Sequence, residues 1–179
     1  YKFGDGSYPV VQAPAHEVTG RPISYLALDW EYGNFEILEH EPIGSDVFNE
    51  MVEEMAMALR KTKEMYPNTK VGYYGLPLRC YWTHKCTDYE ERCEAMLPIF
   101  QEADWLAPAV YNMYKAFENE EGGPDRPAAP QQNLDYLERN VKIAIDLAQR
   151  AGNKECLIYS THRFHVSNSN HCLRLIDFD

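Results

Sequence analysis

Apolar and polar residues follow two different periods along this chain, and the switches between them mark its elements. Residues 23–30, ISYLALDW, form a short apolar run rich in β-formers, which reads as a buried strand. Residues 46–65, DVFNEMVEEMAMALRKTKEM, change to a helical period in which Met51, Val52, Met55 and Leu59 fall on one side. Ser45 or Asp46 suits the N-cap of that helix, and Pro67 lies just past its end. KVGYYGLPL, 70–78, reads as a second strand with turn residues at its exit. Residues 88–103 read as a helix opening near Asp88, and DWLAPAVYNMY, 104–114, as a third strand. A polar Gly/Pro-rich loop, 115–132, precedes a second long helix over 133–152. There Leu134, Leu137, Val141, Ile145 and Ala148 share a face, and Gly152 suits the C-cap. ECLIYSTHRF, 155–164, is a fourth strand, and the closing HCLRLIDFD carries a thin signal for another. Residues 1–22 read as an irregular lead-in, leaving 23–179 as a single domain.

Strands that alternate with long helices imply parallel pairing through crossover helices, hence the α/β class. A doubly wound sheet and a (β/α) barrel both give this order. No GxGxxG follows a strand and no P-loop pattern occurs, so nothing argues for a dinucleotide or other cofactor. A complete barrel takes about 250 residues and rarely fewer than about 200. In 179 residues, about four βα units amount to a partial or incomplete barrel.

Composition narrows the partners. The net charge of −11 disfavours nucleic acid and anionic membrane surfaces, both of which would be repelled. It also argues against a polyanionic polymer. With 45% hydrophobic and 13% aromatic residues the chain has material for a core, and no window approaches the roughly 20 apolar residues of a membrane span. The chain opens on Tyr1 rather than Met, as expected of a mature product or a fragment. The spacing of Cys80, Cys86 and Cys93 is not that of a zinc site. A short disulfide-closed loop, and so a secreted or extracellular setting, is the better reading; buried reduced thiols in a cytosolic protein are the alternative. Cys86 is either free or paired with Cys156 or Cys172.

In parallel α/β folds the active site collects at the carboxyl ends of the strands. The first strand ends at Asp29, Trp30 and Glu31; the second passes Tyr73, Tyr74 and Pro77; the third reaches Tyr111, Asn112 and Tyr114. The fourth carries Tyr159, Thr161, His162 and Arg163. Such a face is concave, aromatic and acidic, which suits a sugar. Asp29 and Glu31 are two residues apart, so on a strand they share a side. Two close carboxylates raise the pKa of one of them, and a raised carboxyl can protonate a glycosidic oxygen. The plainer reading of the pair is a strand end meeting solvent. Trp82, in CYWTHKC, either stacks on a sugar at the rim or packs beneath its loop. His162 and His165 have no carboxylate at matched spacing, so no metal is expected. Met51, Met55 and Met57 read as core and its margin, and ENEEGG as a solvated loop.

Taken in order, LALDWE, KTKEMYPNTKVGYYGLPLRC, RCEAM, DWLAPAVYNMY and NVKIAIDLAQRAG resemble the hyaluronidase family of glycoside hydrolases, over roughly residues 24–165. The resemblance implies a parallel (β/α) barrel of TIM type and retaining hydrolysis assisted by the substrate's N-acetyl group. It implies Glu31 as proton donor and Asp29 as its partner, with Tyr74 and Tyr111 on substrate-contacting tyrosines. It also implies a Cys80–Cys93 bridge. The partner is then an N-acetylhexosamine-containing glycan, with a second chain or further segments completing the barrel. The competing readings are a catalytically silent carbohydrate-binding or structural protein on the same scaffold, and a doubly wound protein unrelated to sugars.

Overall fold

The computed structural model describes residues 23–30, 33–80, 88–111 and 130–160. The described elements are β1 (Tyr25–Leu28), α1 (Asn34–His40), α2 (Asp46–Met65), β2 (Lys70–Tyr73), α3 (Tyr89–Ala95), α4 (Leu97–Glu102), β3 (Trp105–Leu106), α5 (Pro130–Arg150) and β4 (Glu155–Cys156).

Local chemistry explains their limits. Ser45 caps α2, its hydroxyl accepting the Phe48 N–H at 3.2 Å. The helix expected over 88–103 is two helices, because Pro98 falls in the first turn of α4. A proline has no N–H to give, and its ring crowds the carbonyl four residues back, so the chain turns at Met96 and starts again. α1 has no counterpart in the strand-and-helix pattern read from the sequence. It follows Gly33, whose φ of 76° is costly for any residue with a side chain. Its last carbonyls are held by Arg92, which is 8% exposed. One Arg92 nitrogen donates to the carbonyls of Leu38 and Glu41 at 2.8 and 2.7 Å, and the other to Asp88 at 2.6 Å.

β1 runs parallel to β2 with Leu28 opposite Tyr73, and β3 runs parallel to β4 with Leu106 opposite Cys156. Single parallel bridges continue both patterns, Tyr74 with Ala107 and Ala109 with Tyr159. The first of them joins the two pairs, reinforced by Asp104 N–H to Val71 O at 2.8 Å and Ala107 N–H to Leu76 O at 2.9 Å. The strands therefore lie side by side in chain order. A doubly wound sheet reverses its order part-way; this one does not. The strands are shorter than the sequence pattern suggests. Pro108 cannot donate to a ladder, and Gly75 turns the chain at a φ of 81° just past β2.

The core lies between this layer and the helices, where Leu28, Phe48, Met55, Leu59, Val71 and Phe100 are all buried. On the other face Trp105 lies against Gly72: a Cβ at 72 would stand 2.4 Å from the Trp105 carbonyl oxygen and 2.7 Å from its ring.

Two expectations are corrected. The stripe read from the second long helix mostly turns outward. Leu134, Leu137 and Ile145 are 54%, 37% and 44% exposed, while Tyr136, Asn140, Ala144 and Leu147 are buried. The implied Cys80–Cys93 bridge is not made either. Cys93 is a buried free thiol whose sulfur faces the Leu78 carbonyl at 4.0 Å, on the core side of α3. Cys80 is disulfide-bonded, to a cysteine outside the described residues. Cys156 is free as well, which excludes its pairing with Cys86.

Candidate functional site

Alternation along each strand sends neighbouring side chains to opposite faces. Leu28 is buried and Trp30 packs against the core, so Ala27 and Asp29 face the other way and are exposed. The Leu28–Tyr73 register, extended by one residue, sets Asp29 beside Tyr74, whose N–H donates to the Leu28 carbonyl at 2.9 Å. Tyr73 points the opposite way, its hydroxyl donating to the Met55 carbonyl at 3.2 Å. Burial there pushes its pKa above the ordinary tyrosine range.

Tyr74, Tyr111 and Tyr159 come together on the Asp29 face. The Tyr74 hydroxyl donates to the Tyr111 hydroxyl at 2.8 Å. The Tyr159 ring meets the Tyr74 ring edge-on, with centroids 5.2 Å apart. This is a favourable aromatic geometry. Tyr74 and Tyr111 are half-buried and Tyr159 is 37% exposed. The three tyrosines singled out in the sequence are thus one cluster, drawn from the carboxyl ends of three consecutive strands.

Glu31 and Trp82, and with them His162 and His165, lie outside the described residues. Among the described residues no group of three His, Cys, Asp or Glu could hold a metal ion.

A cavity of about 220 Å³ is lined by Gly33, Phe35, Glu36, Glu39, Gly75, Leu78 and Arg79. The sequence reading missed it, because its wall is α1. The available signal was the Gly33-Asn34 start followed by Phe35 and Leu38 at helical spacing. The other wall is the stretch just past β2, and Asn140 of α5 fixes that stretch. Asn140 Oδ1 accepts from the Cys80 N–H at 2.9 Å and the Tyr89 hydroxyl at 2.7 Å. Its Nδ2 donates to the carbonyls of Tyr136 and Cys80 at 2.7 and 3.3 Å.

The amino ends of the strands carry a different chemistry. Lys70 is bonded to Glu155, and the Tyr25 hydroxyl donates to the same carboxylate at 2.7 Å. Paired charges thus gather at the amino ends of the strands and the tyrosines at their carboxyl ends.

No family model and no curated protein matches the sequence. Among solved structures the chain is similar to bee venom hyaluronidase in complex with a hyaluronic acid tetramer. The identity is 17% and the TM-score 0.53, over 80% of this chain and 52% of that one. A second, monoclinic structure of bee venom hyaluronidase gives 18% identity and a TM-score of 0.46, over 74% of this chain and 44% of that one. The chain spans about half the length of the hyaluronidase it matches, and over that half the two share a fold.

Proposed function

We propose that this chain carries the acid-bearing part of a hyaluronidase-like glycoside hydrolase, cleaving an N-acetylhexosamine-containing glycan. The observation that supports the reading best is the cluster of Tyr74, Tyr111 and Tyr159 beside Asp29 at the carboxyl ends of parallel strands. In the proposed reaction Glu31 protonates the glycosidic oxygen as the bond from it to the anomeric carbon breaks. The substrate's acetamido oxygen bonds to that carbon, giving a cyclic oxazolinium ion. Water then attacks the same carbon, the acetamido oxygen leaves, and Glu31 takes back a proton. One water is consumed and the configuration is retained. Asp29 orients the acetamido group and stabilises its developing positive charge. The three tyrosines and Trp82 hold the sugar rings.

A TIM-type barrel is part of the same proposal, completed by further βα units of the polypeptide or by a second chain. The outward stripe of α5 supports it, since Leu134, Leu137 and Ile145 are apolar surface that a neighbouring helix would cover. So does the half-length match to a hyaluronidase fold. A disulfide at Cys80 supports a secreted setting. No described helix is long and apolar enough to cross a membrane.

A catalytically silent glycan-binding protein is the second reading. The exposure of Asp29 and Ala27 favours it, because glycosidic cleavage gains from a site closed to bulk water.

The test is release of reducing ends from a panel of N-acetylhexosamine oligosaccharides, alongside calorimetric binding. Glu31→Gln is expected to lower release by at least about a hundredfold while leaving binding intact. Binding without turnover by the unaltered protein would establish the silent reading, and a protein that does neither would remove both.

A further inference from the structure

We infer that Tyr159 is a positioning residue, whose ring sets the direction in which Tyr74 carries its hydroxyl to Tyr111. Its use by a sugar rests on the glycan reading above, where Tyr159 is one of three tyrosines that hold the rings; it does so through Tyr74.

Tyr159 touches both partners of the Tyr74–Tyr111 hydrogen bond, in two different ways. Its backbone is laddered to the exit of β3. The Tyr159 N–H donates to the Pro108 carbonyl at 3.1 Å, and the Tyr159 carbonyl accepts from the Val110 N–H at 2.9 Å. Pro108 has no N–H to give, so the ladder runs through these two bonds around Ala109, next to Tyr111. The ring of Tyr159 meets the ring of Tyr74 at the exit of β2, with centroids 5.2 Å apart and planes at 79°. Among the described residues the Tyr159 hydroxyl makes no hydrogen bond, so what Tyr159 gives the cluster is its ring.

The Tyr74 backbone is held from both sides, by its N–H to the Leu28 carbonyl at 2.9 Å and by its bridge to Ala107. Those bonds leave the side-chain torsions to be settled by neighbours. A hydroxyl at the tip of a tyrosine swings widely for a small turn at its base. A bond of 2.8 Å to Tyr111 tolerates little of that swing. The Tyr74 and Tyr111 rings stand further apart, at 6.5 Å and tilted by 38°, and meet through their hydroxyls. The edge-on contact with Tyr159 is a preferred arrangement of two aromatic rings and supplies the restraint. Tyr159 is 37% exposed and outside the buried core, so its side chain can be changed with little effect on folding.

The experiment labels the tyrosines with carbon-13 at Cζ, the ring carbon that bears the hydroxyl, and assigns Tyr74 and Tyr111 from Tyr74→Phe and Tyr111→Phe. In Tyr159→Leu the Tyr74 resonance is expected to move to where Tyr111→Phe puts it, the position of a Tyr74 without that partner. Tyr159→Phe keeps the ring edge and is expected to leave both resonances in place. Calorimetry with a chitin oligosaccharide then reads how a sugar uses the pair. Binding is expected to weaken up to about tenfold in Tyr159→Leu, to be rescued in Tyr159→Phe, and to fall no further when Tyr159→Leu is added to Tyr74→Leu. Unmoved resonances in Tyr159→Leu, a shift in Tyr159→Phe, or additive losses in the double variant overturn the positioning role. Moved resonances in a protein that binds no glycan leave the positioning role standing and remove the glycan reading instead.

Discussion

At the scale of single residues, two buried groups carry consequences that can be measured. Asn140 uses both of its amide ends to hold Cys80 in place against Tyr89. Asn140→Ala strands the Cys80 N–H away from water and leaves a small void. It is expected to cost about 2–4 kcal/mol in urea denaturation. Cys93 is the second. Burial pushes its thiol up from an ordinary 9.0 to about 12. Its folded pKa thus exceeds the unfolded one, and the neutral form is the one the fold favours. That contribution is complete below about pH 9 and is lost as pH climbs toward 12. In the native protein at pH 8, Cys156, which is only half-buried, should react with a thiol reagent well before Cys93. Labelling of Cys93 at the rate of Cys156 would contradict its burial. Neither role was legible in the sequence. One asparagine inside a helix and one cysteine among five have no spacing that sets them apart.

Among the elements, what could be read and what could not divides along physical lines. The α2 helix was legible because its apolar period, its serine cap and its terminal proline all agree. The α5 helix was legible as a helix, but its buried side was not. It has two apolar stripes, and the one that is uniformly aliphatic at Leu134, Leu137 and Ile145 is the outward one. Its inward stripe is mixed, with Tyr136, Asn140, Ala144 and Leu147, so an asparagine and a tyrosine hide it from an apolar count. The split between α3 and α4 was written in Pro98, whose effect a smooth apolar period conceals. The close contact of β2 with β3 depends on Gly72. Gly72→Ala drives a methyl into the Trp105 backbone and ring. Thermal and chemical denaturation should record a loss of about 3 kcal/mol. A near-neutral substitution would show that Trp105 moves freely, contrary to its 1% exposure.

For the whole molecule, the sequence carried the parallel order and the strand ends at which functional side chains gather, since both follow from how βα units wind. The tyrosine cluster was legible for that reason: Tyr74, Tyr111 and Tyr159 each sit just past a strand. Glu31 lies outside the described residues, so the acid pair belongs to the proposal alone. The amino-end cluster was hidden, as Tyr25, Lys70 and Glu155 are far apart in sequence and meet only once β1, β2 and β4 belong to one layer. Lys70 and Tyr25 hold the Glu155 carboxyl below its usual range. The stability it lends is therefore present above that range and lost as pH falls through the lowered pKa. Glu155→Gln should lower Tm at neutral pH and low salt. The difference from the unaltered protein should close as pH falls through the lowered pKa and shrink in about 1 M salt. A Tm gap indifferent to salt would assign the effect to packing instead.

β1 and β4 bound the described layer, and no described strand pairs with the outer side of either. In the proposed barrel, whatever lies beyond these margins must continue a parallel ladder at both, so the units that complete it enter in the same strand direction as the four described.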